Sequence, residues 1–577
     1  MAQIKKLKLI KHFNYCVVLV YAVFCFNVNL FCENLPKNTG VQPAKFDIRG
    51  VKGLWWYDIS KYKDIMAWMP SHGFNFLMFC YSSFPGSSEL WRKGYTESEL
   101  KGMKDVADYC SSHGITLCLA INPGIYSRTK IVYSSDEEYQ LMLASLVKVY
   151  KATGIKWYAL CLDDIIEKLS DKDKTRFKTL AEAHTFFVNR VYKGLKEQVP
   201  GVNMIFCPAA YTTGFALKNT EYSKYVGEKV DSSILFFWTG PTVCSSNIID
   251  EDVGKIRKFF GSTREIVIWD NYPVNDYIPW RLLLSPVKGR SKTLYKHVRG
   301  LISNPMKQME ASKLPLAAIG EYLSDPGNYD PERAMARSIA ELGGGEVDYV
   351  LKDLVGIYGR YFLGDKKFEY IDVPENPNDV RVRIAKLRGI LVVLRNNTKY
   401  RRLYDDVRPA IESDIVRLEQ YIIRKKGCKG KSGRVVLKGL DFTGGGGEVY
   451  RYRKSFRYEV NYVYAKPSKL DVMSSDFWVN NIDGITGAEL VIEAMCSKKG
   501  GNCRVEIRVN DNIVFSGKNN FRAEPKWTTQ SFAVPPKMLR TGKNIIIICN
   551  IEPEGKAGSP PWFMISKVEV VLRNEEK

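Results

Sequence analysis

Histidine is scarce in this chain, with five among 577 residues, and none of them forms a His-Glu-x-x-His motif. That pattern argues against zinc-dependent hydrolysis, and neither a metal nor any other cofactor is expected. The 13 cysteines form neither a disulfide framework nor a metal-ligand set. Cys80, Cys118, Cys161, Cys207 and Cys549 lie in apolar runs and read as small buried hydrophobes. Cys496 and Cys503 flank a Lys/Gly turn and could pair across a hairpin. A glycine-rich phosphate turn after the first strand candidate is missing, which disfavours a dinucleotide-binding open sheet. Recognisable nucleic-acid motifs are also missing. The formal charge is +22, but its Lys and Arg are spread along the chain, often beside Asp or Glu. The densest basic run, Lys425, Lys426, Lys429, Lys431 and Arg434, sits among glycines and reads as a solvated loop, so no nucleic-acid partner is expected.

What is present begins at the N-terminus. Lys5, Lys6, Lys8 and Lys11 precede an uncharged apolar stretch from Phe13 to Cys32, the order of a secretory signal. Residues 1–33 are therefore expected to direct export, to a secreted, periplasmic or cell-surface location. The stretch is also long enough to stay as a membrane tether, and no clear small-residue cleavage site follows it. No later apolar stretch approaches spanning length. The aromatic share is 12%, with 33 Tyr and 11 Trp, which suits either a filled core or stacking on pyranose rings.

A chain of this length needs two or three domains of roughly 150–250 residues. From Phe46 onward, short apolar runs alternate with amphipathic stretches. Strands are expected at Gly50–Tyr57, Phe74–Cys80, Thr116–Ile121, Lys156–Leu162, Asn203–Cys207, Ile234–Trp238, Glu265–Trp269 and Leu316–Tyr322. Helical spacing predicts Glu97–His113, Glu137–Thr153, Lys174–Val199, Asp250–Phe260 and Ser291–Ile302 between them. This α/β alternation predicts a (β/α)8 TIM barrel over residues 46–330. A helical bundle region is expected over 331–436, with helices near Arg333–Leu342, Val347–Tyr361 and Leu403–Ile423. After a glycine junction at Gly444–Gly447, short β segments predict a C-terminal β-sandwich over 448–577, a candidate carbohydrate-binding module.

In such a barrel the chemistry lies at the C-terminal strand ends. The fourth candidate strand runs into Asp163-Asp164, the fifth into Cys207-Pro208 and then Tyr211, the sixth into Trp238-Thr239-Gly240. The seventh meets Trp269-Asp270-Asn271, then Pro273, Asn275 and Asp276. Rings together with Asn and Asp supply what a sugar site needs, a stacking surface and partners for hydroxyls. Each piece alone also suits a structural role as helix cap, core ring or turn former. Adjacent carboxylates are awkward for the usual glycosidase pair, which sits roughly 5–9.5 Å apart across the sugar. They suit substrate-assisted hydrolysis, in which the substrate's own acetamide oxygen is the nucleophile. Two carboxylates so close should also push one pKa upward.

At these residues the sequence resembles glycoside hydrolase family 84, the β-N-acetylglucosaminidases that include O-GlcNAcases and hyaluronidase-like enzymes. The resemblance spans about Phe46–Ala334. It is carried by Trp269 through Asp276, Gly289-Arg290, Ser303-Asn304-Pro305-Met306, Ala311-Ser312-Lys313, Asp163-Asp164-Ile165 and Arg49-Gly50-Val51. It implies a retaining, metal-free hydrolysis of N-acetylhexosaminides through an oxazoline, acting on an N-acetylated glycan or glycoconjugate. Asp163 would orient the acetamide and Asp164 would be general acid and base. Asn271 and Asp276 would bind sugar hydroxyls, with Asn304 bonded nearby. Cys207, Tyr211 and Trp269 would line the acetamide pocket, and Gly53 would bring backbone close to the ring.

The chain departs from the family pattern in three places. Gly53-Leu54-Trp55-Trp56 stands for Gly-Phe-Tyr-Gly, and Pro208-Ala209-Ala210-Tyr211 for Pro-Thr-Glu-Tyr. Ser82-Ser83-Phe84-Pro85 stands for Lys-Asp-Asp-Pro, so the lysine that touches the sugar there is absent. Two other readings stay open at this point: a non-catalytic carbohydrate-binding protein on a hydrolase-derived barrel, and a hydrolase for a different sugar.

Overall fold

A computed structural model describes residues 44–53, 59–81, 87–124, 131–165, 168–276, 281–359, 377–426, 433–452, 456–466, 468, 470–498, 502–555 and 559–574. The basic and apolar N-terminal segment lies outside the described residues, as do Leu54–Trp56 and Ser82–Pro85. Lys45–Lys577 forms one unit. Among the described residues no helix is long and apolar enough to cross a membrane.

Eight parallel strands close into a barrel, in sequence order around the ring. They are β1 (Ile48–Gly53), β2 (Phe76–Phe79), β3 (Thr116–Ile121), β4 (Trp157–Cys161), β5 (Asn203–Cys207), β6 (Leu235–Trp238), β7 (Ile266–Pro273) and β8 (Gly300–Asn304). Strand alternation divides the apolar residues between two cores. Ala159 and Cys161 of β4 face the barrel interior, with Met78, Cys118, Ile205, Phe237 and Val267. Tyr158 and Leu160 face the opposite way, into the larger core between barrel and helices. Closure is tight between β1 and β8: a β-carbon on Gly300 would lie 2.2 Å from the Ile48 carbonyl oxygen.

The helix starts follow local chemistry. Thr96 and Glu99 form a reciprocal capping box at Glu97–Ser112. Ser135 and Thr179 cap Asp136–Thr153 and Leu180–Gln198 in the same side-chain-to-backbone manner.

The eighth strand is not where the apolar pattern puts it. Leu316–Tyr322 belongs to a helix, Met309–Ser324, and β8 lies within and just beyond the stretch expected to be the helix Ser291–Ile302. The physical reason is burial on several sides. Met309–Ser324 packs on β7 and β8 and also against the helices Pro331–Gly343 and Arg401–Lys426. A helix enclosed in this way loses its polar stripe, and a short piece of it then reads like a buried strand.

Beyond the barrel lie the helices Pro331–Gly343, Asp348–Tyr358, Pro377–Asn396 and Arg401–Lys426, followed by antiparallel sheets. The strands are β9 (Arg434–Lys438), β10 (Thr443–Gly444), β11 (Gly446–Tyr452), β12 (Phe456–Tyr464), β13 (Val472–Val479) and β14 (Ile485–Cys496), then β15 (Arg504–Val509), β16 (Asn512–Lys518), β17 (Thr528–Val534), β18 (Gly542–Asn550) and β19 (Trp562–Asn574). One sheet runs β10-β13-β18-β15-β16 and the other β11-β12-β19-β14-β17, with β9 also on β19. Val435, Phe477, Ile492, Ile507, Ile548 and Val568 share the core between them. Gly444–Gly447 is thus no interdomain junction, because β9 pairs with β19 upstream of it. Gly444 and Gly445 adopt φ of 81° and 60° in the turn between β10 and β11, a conformation glycine takes without strain. Cys496 and Cys503 are both unpaired thiols, and Cys549 is only partly buried.

Candidate active site

Asp163 and Asp164 follow β4 after one further residue, Leu162, whose N–H still bonds to the Cys207 carbonyl of β5 at 2.8 Å. In a continuing strand the two side chains would point apart. Asp164 instead takes a left-handed φ of 53°, unusual outside glycine but tolerated by Asp. The chain turns there, and the two carboxylates meet different tyrosines. Tyr81, just after β2, donates to Asp163 Oδ2 at 2.6 Å, and Tyr211, after β5, donates to Asp164 Oδ1 at 3.1 Å.

The environments of the two acids differ. Asp163 is buried and Asp164 is exposed. Asn122, immediately after β3, donates its amide both to the Asp163 main-chain oxygen at 2.8 Å and to Oδ1 at 3.2 Å. Its own oxygen accepts from the Gly124 N–H at 3.1 Å, so the amide is held in one orientation. Burial pushes the Asp163 carboxyl above its usual range; the Tyr81 hydrogen bond opposes this, the Asp164 charge adds to it, and the Lys52 charge opposes it. The Cys161 and Cys207 thiols beside it are pushed well up, mainly by burial, and stay neutral. The upward shift expected for an adjacent pair therefore falls on Asp163, and low polarity outweighs like-charge repulsion as its cause.

The remaining candidates form two further groups. Cys207 and Trp269 lie in the barrel-interior cluster with Tyr81 and Tyr211. The Trp269 ring meets Phe237 edge-on at 5.2 Å, and the Lys52 Nζ stands 4.3 Å from its centroid. The Trp269 indole N–H is buried without a partner among the described residues. Asn271 and Asn304 are joined, Asn304 Nδ2 donating to Asn271 Oδ1 at 2.8 Å, while Asn271 Nδ2 donates to the Val243 carbonyl at 2.8 Å. Behind them a buried ion pair locks the end of β7. Arg290 bonds both Asp270 oxygens, at 2.9 and 2.7 Å, and also the carbonyls of Ser246 and Lys288. Gly53 ends β1 opposite Phe79 of β2. Asp276 is exposed, three residues past the end of β7, and no hydrogen bond among the described residues ties it to the other candidates. Asn275 is structural: it bonds the Arg281 carbonyl, Gln308 and the Lys307 N–H.

Three residues of this site escaped sequence reasoning: Lys52, Tyr81 and Asn122. Their signal is the same as for the later strands, a polar residue at or just past a strand's C-terminal end. Among the described residues no group of three or more His, Cys, Asp or Glu side chains could hold a metal ion.

A β-N-acetylglucosaminidase family model matches residues 50–355. The chain belongs to this family. That match runs from within β1 into the helix Asp348–Tyr358, and so includes every candidate residue above. The Protein O-GlcNAcases of Mus musculus and Rattus norvegicus are 32% and 31% identical to the chain over 236 residues. Each match takes in 40% of this chain and 25% of the relative. In three dimensions the chain resembles a mutant of the Thermobaculum terrenum O-GlcNAc hydrolase, with a TM-score of 0.57 and 24% identity. That likeness covers 66% of this chain and 85% of the other. It also resembles the protein CpGH84B, with a TM-score of 0.54, 20% identity, and coverage of 66% and 68%. At these identities the structural likenesses establish the barrel fold of this family member, and the sequence match establishes the family.

Proposed function

We propose that the chain is a retaining glycoside hydrolase that removes terminal β-linked N-acetylhexosamine by substrate-assisted catalysis. The observation that carries this reading is the turn at Asp164, which gives consecutive carboxylates two different surroundings at the barrel's C-terminal face. Asp163, buried and oriented by Tyr81 and Asn122, accepts a hydrogen bond from the acetamide N–H of the substrate. The acetamide oxygen, made more nucleophilic, attacks C1 and forms the oxazoline. Asp164, exposed toward the leaving group, gives its proton to the glycosidic oxygen as the C1–O bond breaks. The resulting Asp164 carboxylate then takes a proton from water as that water opens the oxazoline at C1. Two inversions leave the configuration retained.

Asn271, held by Asn304 and the Val243 carbonyl, and the exposed Asp276 are proposed to bind sugar hydroxyls. Trp269, Cys207 and Tyr211 are proposed to wall the acetamide pocket, and Gly53 to let backbone approach the ring. The relatives named O-GlcNAcase make N-acetylglucosamine O-linked to protein the first substrate class to try. We also propose that the protein acts outside the cytoplasm, on the strength of the basic-then-apolar order from Lys5 to Cys32, with cell fractionation as the test.

The deciding experiment is a panel of aryl N-acetyl-β-hexosaminides. Release of the aryl alcohol is expected, and Asp164→Ala should lose far more rate on poor leaving groups than on activated ones. Absence of turnover across the panel, with sugar binding intact, would instead favour a non-catalytic binding protein. Turnover of plain glucosides or galactosides would favour a different sugar.

A further inference from the structure

The segment that carries Tyr211 is held from behind by a relay of hydrogen bonds. It joins β5 to the helix Thr213–Lys218, and Pro208-Ala209-Ala210 brings it no polar side chain, so its main chain must be fixed from outside. Thr239, just past β6, donates its N–H to the Tyr211 carbonyl at 3.1 Å. Ala209 donates its N–H at 3.1 Å to the hydroxyl of Tyr222, on the helix Thr220–Lys229. That hydroxyl also meets Nδ1 of His184, on the helix Leu180–Gln198, at 2.9 Å.

Proton counting gives the relay its direction. The Tyr222 hydroxyl accepts from Ala209 and has one proton of its own to give. Its other partner among the described residues is His184 Nδ1, so the proton goes there and the imidazole carries its own on Nε2. Burial keeps the ring neutral and able to accept, with a pKa pushed down to about 3. This tautomer has a cost, because Nε2 is buried and meets no hydrogen-bond partner among the described residues. A phenylalanine would fill the space without that orphaned donor. What the imidazole adds is the acceptor at Nδ1.

On its other side the segment presents Tyr211 to the site. Tyr211 is buried, meets Phe215 edge-on at 5.4 Å and donates to Asp164 Oδ1 at 3.1 Å. That bond leaves Oδ2 of Asp164 to carry the acidic proton. We propose that His184 and Tyr222 are positioning residues, whose relay to the Ala209 N–H holds the segment after β5 so that Tyr211 keeps the Asp164 carboxyl aimed at the leaving group. This rests on the functional reading above. Neither residue needs to touch the substrate; both act through Tyr211. The demand is steep, since a misplacement of about 1 Å can cost roughly 100-fold in rate.

The test compares the intact chain with Tyr222→Phe, His184→Leu, His184→Asn, Tyr211→Phe and the double variant Tyr211→Phe with Tyr222→Phe. Three readouts are used: kcat and KM on N-acetyl-β-glucosaminides with alkyl and with activated aryl leaving groups, urea unfolding, and hydrogen–deuterium exchange of the peptide containing Ala209. Tyr222→Phe and His184→Leu should lower kcat about 10-fold on the alkyl glycosides and less than about 3-fold on the aryl ones, with KM little changed. His184→Asn, whose amide oxygen can stand in for Nδ1, should restore most of the rate. In the Tyr211→Phe background, Tyr222→Phe should lower kcat no further, because the link to Asp164 is already cut. Exchange at Ala209 should quicken in Tyr222→Phe and His184→Leu. Unchanged kcat on the alkyl glycosides in both, even with a lower urea midpoint, would overturn the proposal and leave the two as packing residues. So would a full additional loss in the double variant. If no glycoside turns over, the functional reading fails separately, and the exchange at Ala209 still decides whether His184 and Tyr222 hold the segment.

Discussion

Replacing Arg290 by Met should cost about 4 kcal/mol of stability. Arg290 and Asp270 have side chains only 1% and 2% exposed, and they are joined by two hydrogen bonds. Methionine keeps most of the volume but removes the charge and every donor. Asp270 is then left as an uncompensated buried carboxylate, which typically costs 3–5 kcal/mol. The carbonyls of Ser246 and Lys288 lose a partner as well, but their penalty overlaps with relaxation of the same loop. A loss of this size is a large fraction of the roughly 5–15 kcal/mol that stabilises a domain.

The effect should reach the site, because Asp270 stands between Trp269 and Asn271, and the loop carrying Ser246 also supplies the Val243 carbonyl that fixes Asn271. Urea unfolding of the variant, followed by circular dichroism, should show a lower midpoint with an unchanged slope. KM should rise with it. The double variant Arg290→Met with Asp270→Leu should recover most of the lost stability, since a buried pair exchanged for apolar groups is often neutral. A single variant within about 1 kcal/mol of the parent, or a double variant no better than the single, would refute the reasoning.

Three further outcomes are expected. His184 is buried, bonded at Nδ1 to the Tyr222 hydroxyl, and burial pushes its pKa down to about 3. Between pH 6.5 and about 3 the unfolded chain binds a proton there that the folded chain does not. Stability should therefore fall by about 1.4 kcal/mol per pH unit as pH drops through that window, and His184→Gln should flatten this part of the profile in denaturant titrations. Gly300→Ala should cost about 3 kcal/mol, because its β-carbon would meet the backbone oxygen of Ile48 at 2.2 Å; Gly254→Ala, with nothing within 4 Å, should gain about 0.5–1 kcal/mol, both read by urea unfolding. Asn304→Ala removes the bond that orients Asn271 and should lower kcat/KM roughly 10-fold, the equivalent of one hydrogen bond of about 1.4 kcal/mol; an unchanged value would detach Asn271 from the sugar.

Much of the barrel was legible because its determinants are local. Thr96 with Glu99 marks a helix start wherever it occurs, and the run Asn203–Cys207 is short, apolar and bounded. The pair Asp163-Asp164, the tract from Trp269 to Asn271, and Asn304 also declare themselves by standing at strand ends. Leu316–Tyr322 reads as a strand in the sequence because the apolar run from Leu314 to Gly320 reflects burial against partners that are remote in sequence.

The sequence by itself determined the alternation that builds the barrel, and the residue types available at its C-terminal face. Only the tertiary structure decided which of these meet. Tyr81 and Asn122 come from beyond the ends of two different strands to a carboxylate 82 and 41 positions further along the chain, a convergence that no local spacing records. The tertiary structure also decided which Asp of the pair is desolvated. Burial is a property of the enclosing barrel, and the left-handed turn at Asp164 leaves one carboxylate inside it and the other at its mouth.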